Sequence, residues 1–201
     1  MGINFNHSIA ENIYKDRIIR INPNITNEEW DYFKSGFKYI NINAKEVFVK
    51  PNQQFNKLGF IIKGLVRCYY LTEEGTEITI KFIQEGDWVT DYPSLLLHKQ
   101  TSLYFQTLES TYIINISYTH LLNGYKIYAS FEKIGRLIAE QILIEQQNRI
   151  EEFQFYSAEK RYLNFINKNS RLFQRISLTD LSSYLGIERP SLSRIRKNLS
   201  F

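Results

Sequence analysis

The stretch from about Ser130 to Phe155 constrains this chain most: it contains no proline and one glycine, and Phe131, Ile134, Ile138, Ile142 and Ile150 recur along it at helical spacing. A single helix over those residues is about 38 Å long, more than one small roll can cover. Its apolar remainder needs a partner, and a second copy of the same helix supplies one, with Ile134, Ile138 and Ile142 as the expected seam. The competing reading packs the whole helix against its own chain.

Upstream of that helix the period changes. Between about Lys45 and Ser117 the runs Val47 to Val49, Phe60 to Ile62, Leu65 to Leu71, Glu77 to Phe82, Leu103 to Leu108 and Tyr112 to Ile116 are short and rich in Ile, Val, Phe and Tyr. Gly59, Gly64, Gly75, Gly86, Pro51 and Pro93 punctuate them. No helical segment is read between the runs, so they predict an antiparallel roll or sandwich and not a βαβ sheet. Before them, Thr26 and Glu29 form a capping box leading into Trp30, Phe33 and Phe37, and a weaker helix is expected around Ile9 to Ile19. The fold class is α+β. Residues 1–126 carry the N-terminal helices and a jelly-roll-like sheet, 127–155 the long helix, and 156–201 a C-terminal helical domain.

That last region has its own punctuation. Ser157 is placed to cap one helix and Ser177 another, whose inner face is Leu181 and Leu185 and whose end is Gly186. Glu188 then occupies an N-cap position, Pro190 falls in the first turn where its missing N–H costs nothing, and Leu192, Ile195 and Leu199 repeat at helical spacing. Two short helices about a glycine turn form a helix-turn-helix, whose second helix can enter the major groove of DNA. The charge distribution agrees. The net charge is +4, but from Tyr156 onward nine bases face three acids, whereas the first 155 residues hold sixteen bases and eighteen acids. Phosphate binding releases counterions from Lys and Arg, so an excess concentrated in one short segment favours an anionic partner there. Guanidinium forks pair with guanine O6 and N7, and hydroxyls, Lys and a helix N-terminus hold phosphates.

A roll containing Phe60-Ile61-Ile62-Lys63-Gly64-Leu65-Val66-Arg67 and Glu85-Gly86-Asp87-Trp88-Val89, then a long helix, then Leu181-Ser182-Ser183-Tyr184-Leu185-Gly186-Ile187 and Ser191-Leu192-Ser193-Arg194-Ile195-Arg196-Lys197, resembles the cAMP receptor protein (Crp/Fnr) family of bacterial transcription regulators. The likeness runs from about Tyr39 to Leu199, and its C-terminal wording resembles the branch common in Bacteroidetes. It implies a homodimer on a near-palindromic operator, RNA polymerase as a partner, and a roll that senses a small-molecule effector. The family's base-reading positions fall on Arg189, Pro190 and Arg194, with Pro190 replacing the Glu of well-known members. The candidate DNA-contacting set is therefore Arg189, Pro190, Ser191, Ser193, Arg194, Arg196 and Lys197. Two residues follow Leu199, so the β-hairpin wing of many members is expected to be short or absent.

In nucleotide-binding members a Gly-Glu-Leu loop and a later Arg-Ser or Arg-Ala pair hold ribose and cyclic phosphate. Laid on this chain from Gly86-Asp87, those positions become Thr90, Asp91, Tyr92, Thr101 and Ser102. The phosphate arginine is missing, and Asp91 adds a carboxylate that repels phosphate. The nucleotide site is thus expected to be degenerate, with Asp91, Tyr92, His98, Lys99, Thr101 and Ser102 as the candidate pocket for some other effector. With one cysteine and scattered His7, His98 and His120, no metal or iron–sulfur centre and no cofactor are expected. A cupin-type enzyme would need histidines and a carboxylate converging on one strand face, and no such spacing or nucleophilic triad is legible. A non-enzymatic, cytoplasmic protein without a membrane segment is expected. The alternative to a DNA-binding regulator is a ligand-binding or interaction module whose helix-turn-helix is only structural.

Overall fold

A computed structural model describes residues 5–199 of the chain. The elements in order are α1 His7–Ile21, α2 Asn27–Ser35, β1 Lys38–Ile42, β2 Val47–Val49, β3 Lys57–Lys63, β4 Val66–Leu71, β5 Glu77–Ile83, β6 Trp88–Val89, α3 Tyr92–Leu97, β7 Tyr104–Thr107, β8 Thr111–Ser117, α4 Tyr118–Ile127, α5 Ala129–Phe155, α6 Ala158–Lys168, α7 Ser170–Phe173, α8 Leu178–Leu185 and α9 Arg189–Asn198. Contacts divide the chain into two compact units, residues 1–68 with 82–140 and residues 69–81 with 141–201. This division differs from boundaries at 126/127 and 155/156: it places the tip of the β4–β5 hairpin with the C-terminal helices. A wing beyond Leu199 lies outside the described residues.

The roll has two four-stranded sheets, ordered β1-β8-β3-β6 and β2-β7-β4-β5. Antiparallel pairing puts Phe60 opposite Ile114 and Ile40 opposite Ile113, so alternate residues of β1, β3 and β8 point the same way. Ile42, Val49, Phe55, Ile61, Val66 and Phe105 belong to one buried apolar cluster that includes Ile83 and Ile113. On the other face of β3, Tyr14 of α1 stacks on Phe60 at 4.1 Å and on Phe37 at 5.3 Å. The Thr26 capping box forms as expected: the Thr26 hydroxyl accepts from the Glu29 N–H at 3.2 Å, and the Thr26 N–H donates to the Glu29 carboxylate at 2.7 Å.

Two helices occupy segments to which the sequence pattern assigned no element. Pro93 lies in the first turn of α3, where it needs no N–H, and Asp91 caps that turn. In α4, Gly124 breaks the helical pattern because a Cβ there would meet the Phe131 ring at 2.4 Å; close packing requires it.

The long helix is present, and its own chain covers two of the three residues expected at a seam. Ile134 and Ile138 are 6% and 3% exposed, buried within the first unit, and Ile142 is half-buried. A residue already packed against its own chain is not free for a partner. The apolar residues that α5 leaves exposed include Leu143 at 69%, Ile144 at 62% and Ile150 at 50%. They follow the point at which the helix passes from the first unit to the second, between Glu140 and Gln141.

Candidate nucleic-acid interface

In the second unit, α8 begins at Ser177, whose hydroxyl accepts from the Asp180 N–H at 3.0 Å and donates to the Asp180 carboxylate at 2.7 Å. It ends at Gly186 with φ +60° and ψ 42°, and the Ile187 N–H returns to the Ser182 carbonyl at 3.0 Å. That left-handed residue redirects the chain into α9.

Two arginines fix this turn from outside it. Arg161 of α6 donates to the carbonyls of Leu185 at 3.0 Å, Gly186 at 3.4 Å and Tyr156 at 2.8 Å. Arg149 of α5 donates to the Tyr184 carbonyl and lies over the Tyr184 and Phe153 rings at 3.8 and 4.3 Å. Burial disfavours the Arg149 charge and lowers its pKa, and interaction with Tyr184 and Glu152 offsets only part of this. Both cations thus satisfy the orphan carbonyls at the C-terminus of α8, where the helix dipole also favours them. Their roles were not visible in the sequence, where Arg161 counts simply as one of nine bases. A basic residue 25 positions before a C-cap glycine carries no local signal for such a contact.

α8 also contacts the β-hairpin tip that shares its unit. The Ser183 hydroxyl accepts from the Thr79 N–H at 2.8 Å and donates to the Glu77 carbonyl at 2.9 Å. β5 ends its sheet, so these are edge groups that would otherwise need water or another strand. Lys81 of the same strand pairs with Glu145 at 3.1 Å.

α9 buries Leu192 and exposes Arg189, Pro190, Ser193, Arg194 and Lys197. At about 100° per residue these five fall within an arc of roughly 140°, a single face carrying three cations and one hydroxyl. Ser191 and Arg196 do not share that exposure; both are half-buried. The Arg196 guanidinium lies 5.7 Å from the Phe173 ring centre and beside Tyr162, so this arginine is partly engaged within its own unit. On the helix wheel it lies between the buried Leu192 and the exposed Arg189, at the border of the outward face. The N-terminus of α9 is also a poor phosphate site: Glu188 is its N-cap and makes no side-chain capping bond, and Pro190 lacks an N–H.

The six residues expected to form an effector pocket differ in burial and in the bonds they make. Asp91 is buried and accepts from the Ser94 N–H at 3.4 Å as the cap of α3. Thr101 is 2% exposed; its hydroxyl accepts from the Leu103 N–H at 3.0 Å, and its carbonyl accepts from the Asn52 N–H at 2.9 Å. His98, Lys99 and Ser102 are exposed, and His98 has a left-handed backbone at φ 53° as the C-cap of α3. Only Tyr92 of the six lines a cavity of about 400 Å³ in the first unit. Among the described residues no group of three or more His, Cys, Asp or Glu side chains is arranged to hold a metal ion. No described helix is long and apolar enough to cross a membrane.

Residues 39–128 match the family model of the cyclic nucleotide-binding domain. Solved structures share the fold over most of the chain. FixK2 from Bradyrhizobium japonicum is 17% identical, with a TM-score of 0.70 over 82% of this chain and 84% of that one. CLP, a c-di-GMP-responsive global regulator from Xanthomonas campestris, is 15% identical, with a TM-score of 0.70 over 87% of this chain and 92% of its own. A transcriptional regulator assigned to the Crp/Fnr family from Eubacterium rectale is 16% identical, with a TM-score of 0.69 over 89% of this chain and 85% of that one. No curated protein matches the chain by sequence. The chain thus contains a cyclic-nucleotide-binding-type roll within the fold of Crp/Fnr-type regulators.

Proposed function

We propose that this chain is a sequence-specific DNA-binding transcription regulator of the Crp/Fnr type. It binds a near-palindromic operator as a homodimer, acts in the cytoplasm through RNA polymerase, and has a roll that does not bind cAMP. The observation that carries the reading is the exposed face of α9, where Arg189, Ser193, Arg194 and Lys197 stand together behind a turn held by Arg161. Paired guanidinium donors suit guanine edges, and the hydroxyl and ammonium suit flanking phosphates. The cAMP part rests on the roll: a threonine occupies the position of the phosphate arginine, its hydroxyl already accepts a backbone bond, and Asp91 is committed to capping α3.

Selection of bound sequences from a random double-stranded pool tests the proposal. The enriched sites should contain two related half-sites about one helical turn, roughly 34 Å, apart. A pool that shows no enrichment over its input would exclude sequence-specific binding.

The homodimer has a separate test. A charge at Ile138 would probe folding, since that side chain is buried in its own unit, so substitutions belong at Leu143 and Ile144. Each buries apolar area worth about 1.5 to 3 kcal/mol when fully covered, and a two-fold interface counts every change twice. Leu143→Glu with Ile144→Glu should therefore weaken self-association about a hundredfold or more by sedimentation. An unaltered dimer would place the seam elsewhere, and a wild-type chain that is monomeric would remove it.

A further inference from the structure

We propose that the first unit holds a binding site for an uncharged, largely apolar small molecule bearing one hydroxyl or carbonyl oxygen, in the cavity framed by α1, α3, α4 and α5. Its volume of about 400 Å³ lies within the usual range of small-molecule sites, about 300 to 1,000 Å³. The aliphatic walls come mainly from α3, α4 and α5, and the polar contribution is four phenols, Tyr14, Tyr92, Tyr118 and Tyr125, with Glu132 and Arg136 from α5.

Tyr14 is the most informative of these. It is wholly buried, and although the Trp88 indole is beside it, neither the Tyr14 hydroxyl nor the indole N–H completes a hydrogen bond. A buried hydroxyl without a partner is costly, and a ligand oxygen would meet the need that the protein leaves open.

The walls also decide the ligand's charge. Burial raises Tyr14, Tyr92 and Tyr125, the last to about 12, so these phenols are neutral near pH 7 and offer hydrogen bonds without charge. Arg136 is already engaged by Glu140 at 2.5 Å, and Glu132 brings a carboxylate into the lining. An anion, whether a fatty acid or a cyclic nucleotide, would give up its hydration and meet that carboxylate, with the lining guanidinium already paired. Of the positions aligned with the family's nucleotide-holding residues, Tyr92 lines the cavity, while Asp91 and Thr101 do not. Ile134, Ile138 and Ala139 of α5 contribute to its wall, which places any occupant against the long helix. The site does not depend on the DNA-binding reading, and binding is measured without DNA.

The test is titration calorimetry on the full chain with thymol and n-octanol as probes and octanoate and cAMP as comparators. Both probes should bind saturably at one site per chain, while the comparators give no comparable heat. Tyr14→Phe should weaken binding about fivefold, the loss of one neutral hydrogen bond. Leu96→Trp and Ala139→Phe, which fill the cavity from its wall, should each weaken it about tenfold or more. Leu96 is 51% exposed, so its enlargement leaves the core in place even if Ala139→Phe disturbs folding; unchanged melting will confirm this for each variant. Absence of saturable binding by either probe overturns the site, as does binding unchanged in both filled variants. Octanoate binding as tightly as octanol overturns the uncharged class, and an unaltered affinity in Tyr14→Phe overturns the role of its hydroxyl.

Discussion

Arg189→Ala combined with Arg194→Ala should bring affinity for a selected operator close to that for unrelated DNA. Each bidentate guanidinium–guanine pair contributes about 1 to 3 kcal/mol of discrimination, and a dimer uses both arginines in each half-site. The whole gap between specific and non-specific binding is about 4 to 10 kcal/mol, so four lost contacts are enough to close most of it. The readout is fluorescence anisotropy with the selected site and a scrambled duplex at several salt concentrations. Arg189 and Arg194 are exposed, so the double variant should retain its melting temperature. Lys197→Ala should behave differently, weakening both duplexes alike and lowering the salt slope by about one counterion per half-site. Arg196→Ala separates a packing role from a reading role: because that guanidinium lies against Phe173, the variant should lose stability while keeping its base preference. Full operator discrimination in the double variant would show that α9 is not the reading element.

The contrast between Arg194 and Arg196 also shows where sequence reasoning stopped. The second unit was legible because it is strongly punctuated: Ser157 and Ser177 cap, Gly186 turns left-handed, and Pro190 lies in a first turn, each at the residue the pattern indicated. Capping and turn chemistry are local, so a one-dimensional pattern contains them. The use of a cation is not local. Arg161, Arg196 and Lys168 all enter the basic count of the last 46 residues, yet Arg161 binds carbonyls, Arg196 packs on a ring and Lys168 pairs with Glu152 at 3.1 Å. The outward set is therefore smaller than the net charge suggested, and Arg189, Arg194 and Lys197 are its members on α9.

A similar limit applied to the long helix. Periodicity identified an apolar stripe containing Ile134, Ile138 and Ile142, but a stripe does not say what covers it. The first unit covers Ile134 and Ile138 itself, and the uncovered residues Leu143 and Ile144 lie next to the pattern instead of on it. The effector region shows a different limit. Asp91 and Thr101 were chosen by alignment, and both use their polar atoms for backbone caps and turns within the roll. Tyr14, the side chain with the clearest unmet hydrogen bond at the cavity, sits in an N-terminal helix with no motif to mark it.

Gly186→Ala is expected to abolish operator binding while leaving the roll folded. Its φ of +60° lies in the left-handed region, which costs a residue with a Cβ about 1 to 2 kcal/mol. The added Cβ would also sit 2.7 Å from Cε1 of Phe153, the ring that lies under the Arg149 guanidinium. That ring is 43% exposed and can turn aside, loosening its stack with the arginine that holds the end of α8, so the contact adds to the backbone strain and the combined cost should be about 1.5 to 3 kcal/mol. Gly75→Ala is the matched control in the same unit: its φ is +80°, but nothing lies within 4 Å of a Cβ there, so only the backbone strain remains. Hydrogen exchange should show lost protection in α8 and α9 of Gly186→Ala and no change in β3 or β8, with Gly75→Ala close to wild type in the helices. The α8–α9 turn is what orients the Arg189 and Arg194 face, so operator affinity should fall in step with helix protection. Equal effects from the two alanines would mean that backbone strain alone accounts for the loss and that contact with Phe153 contributes nothing to the turn.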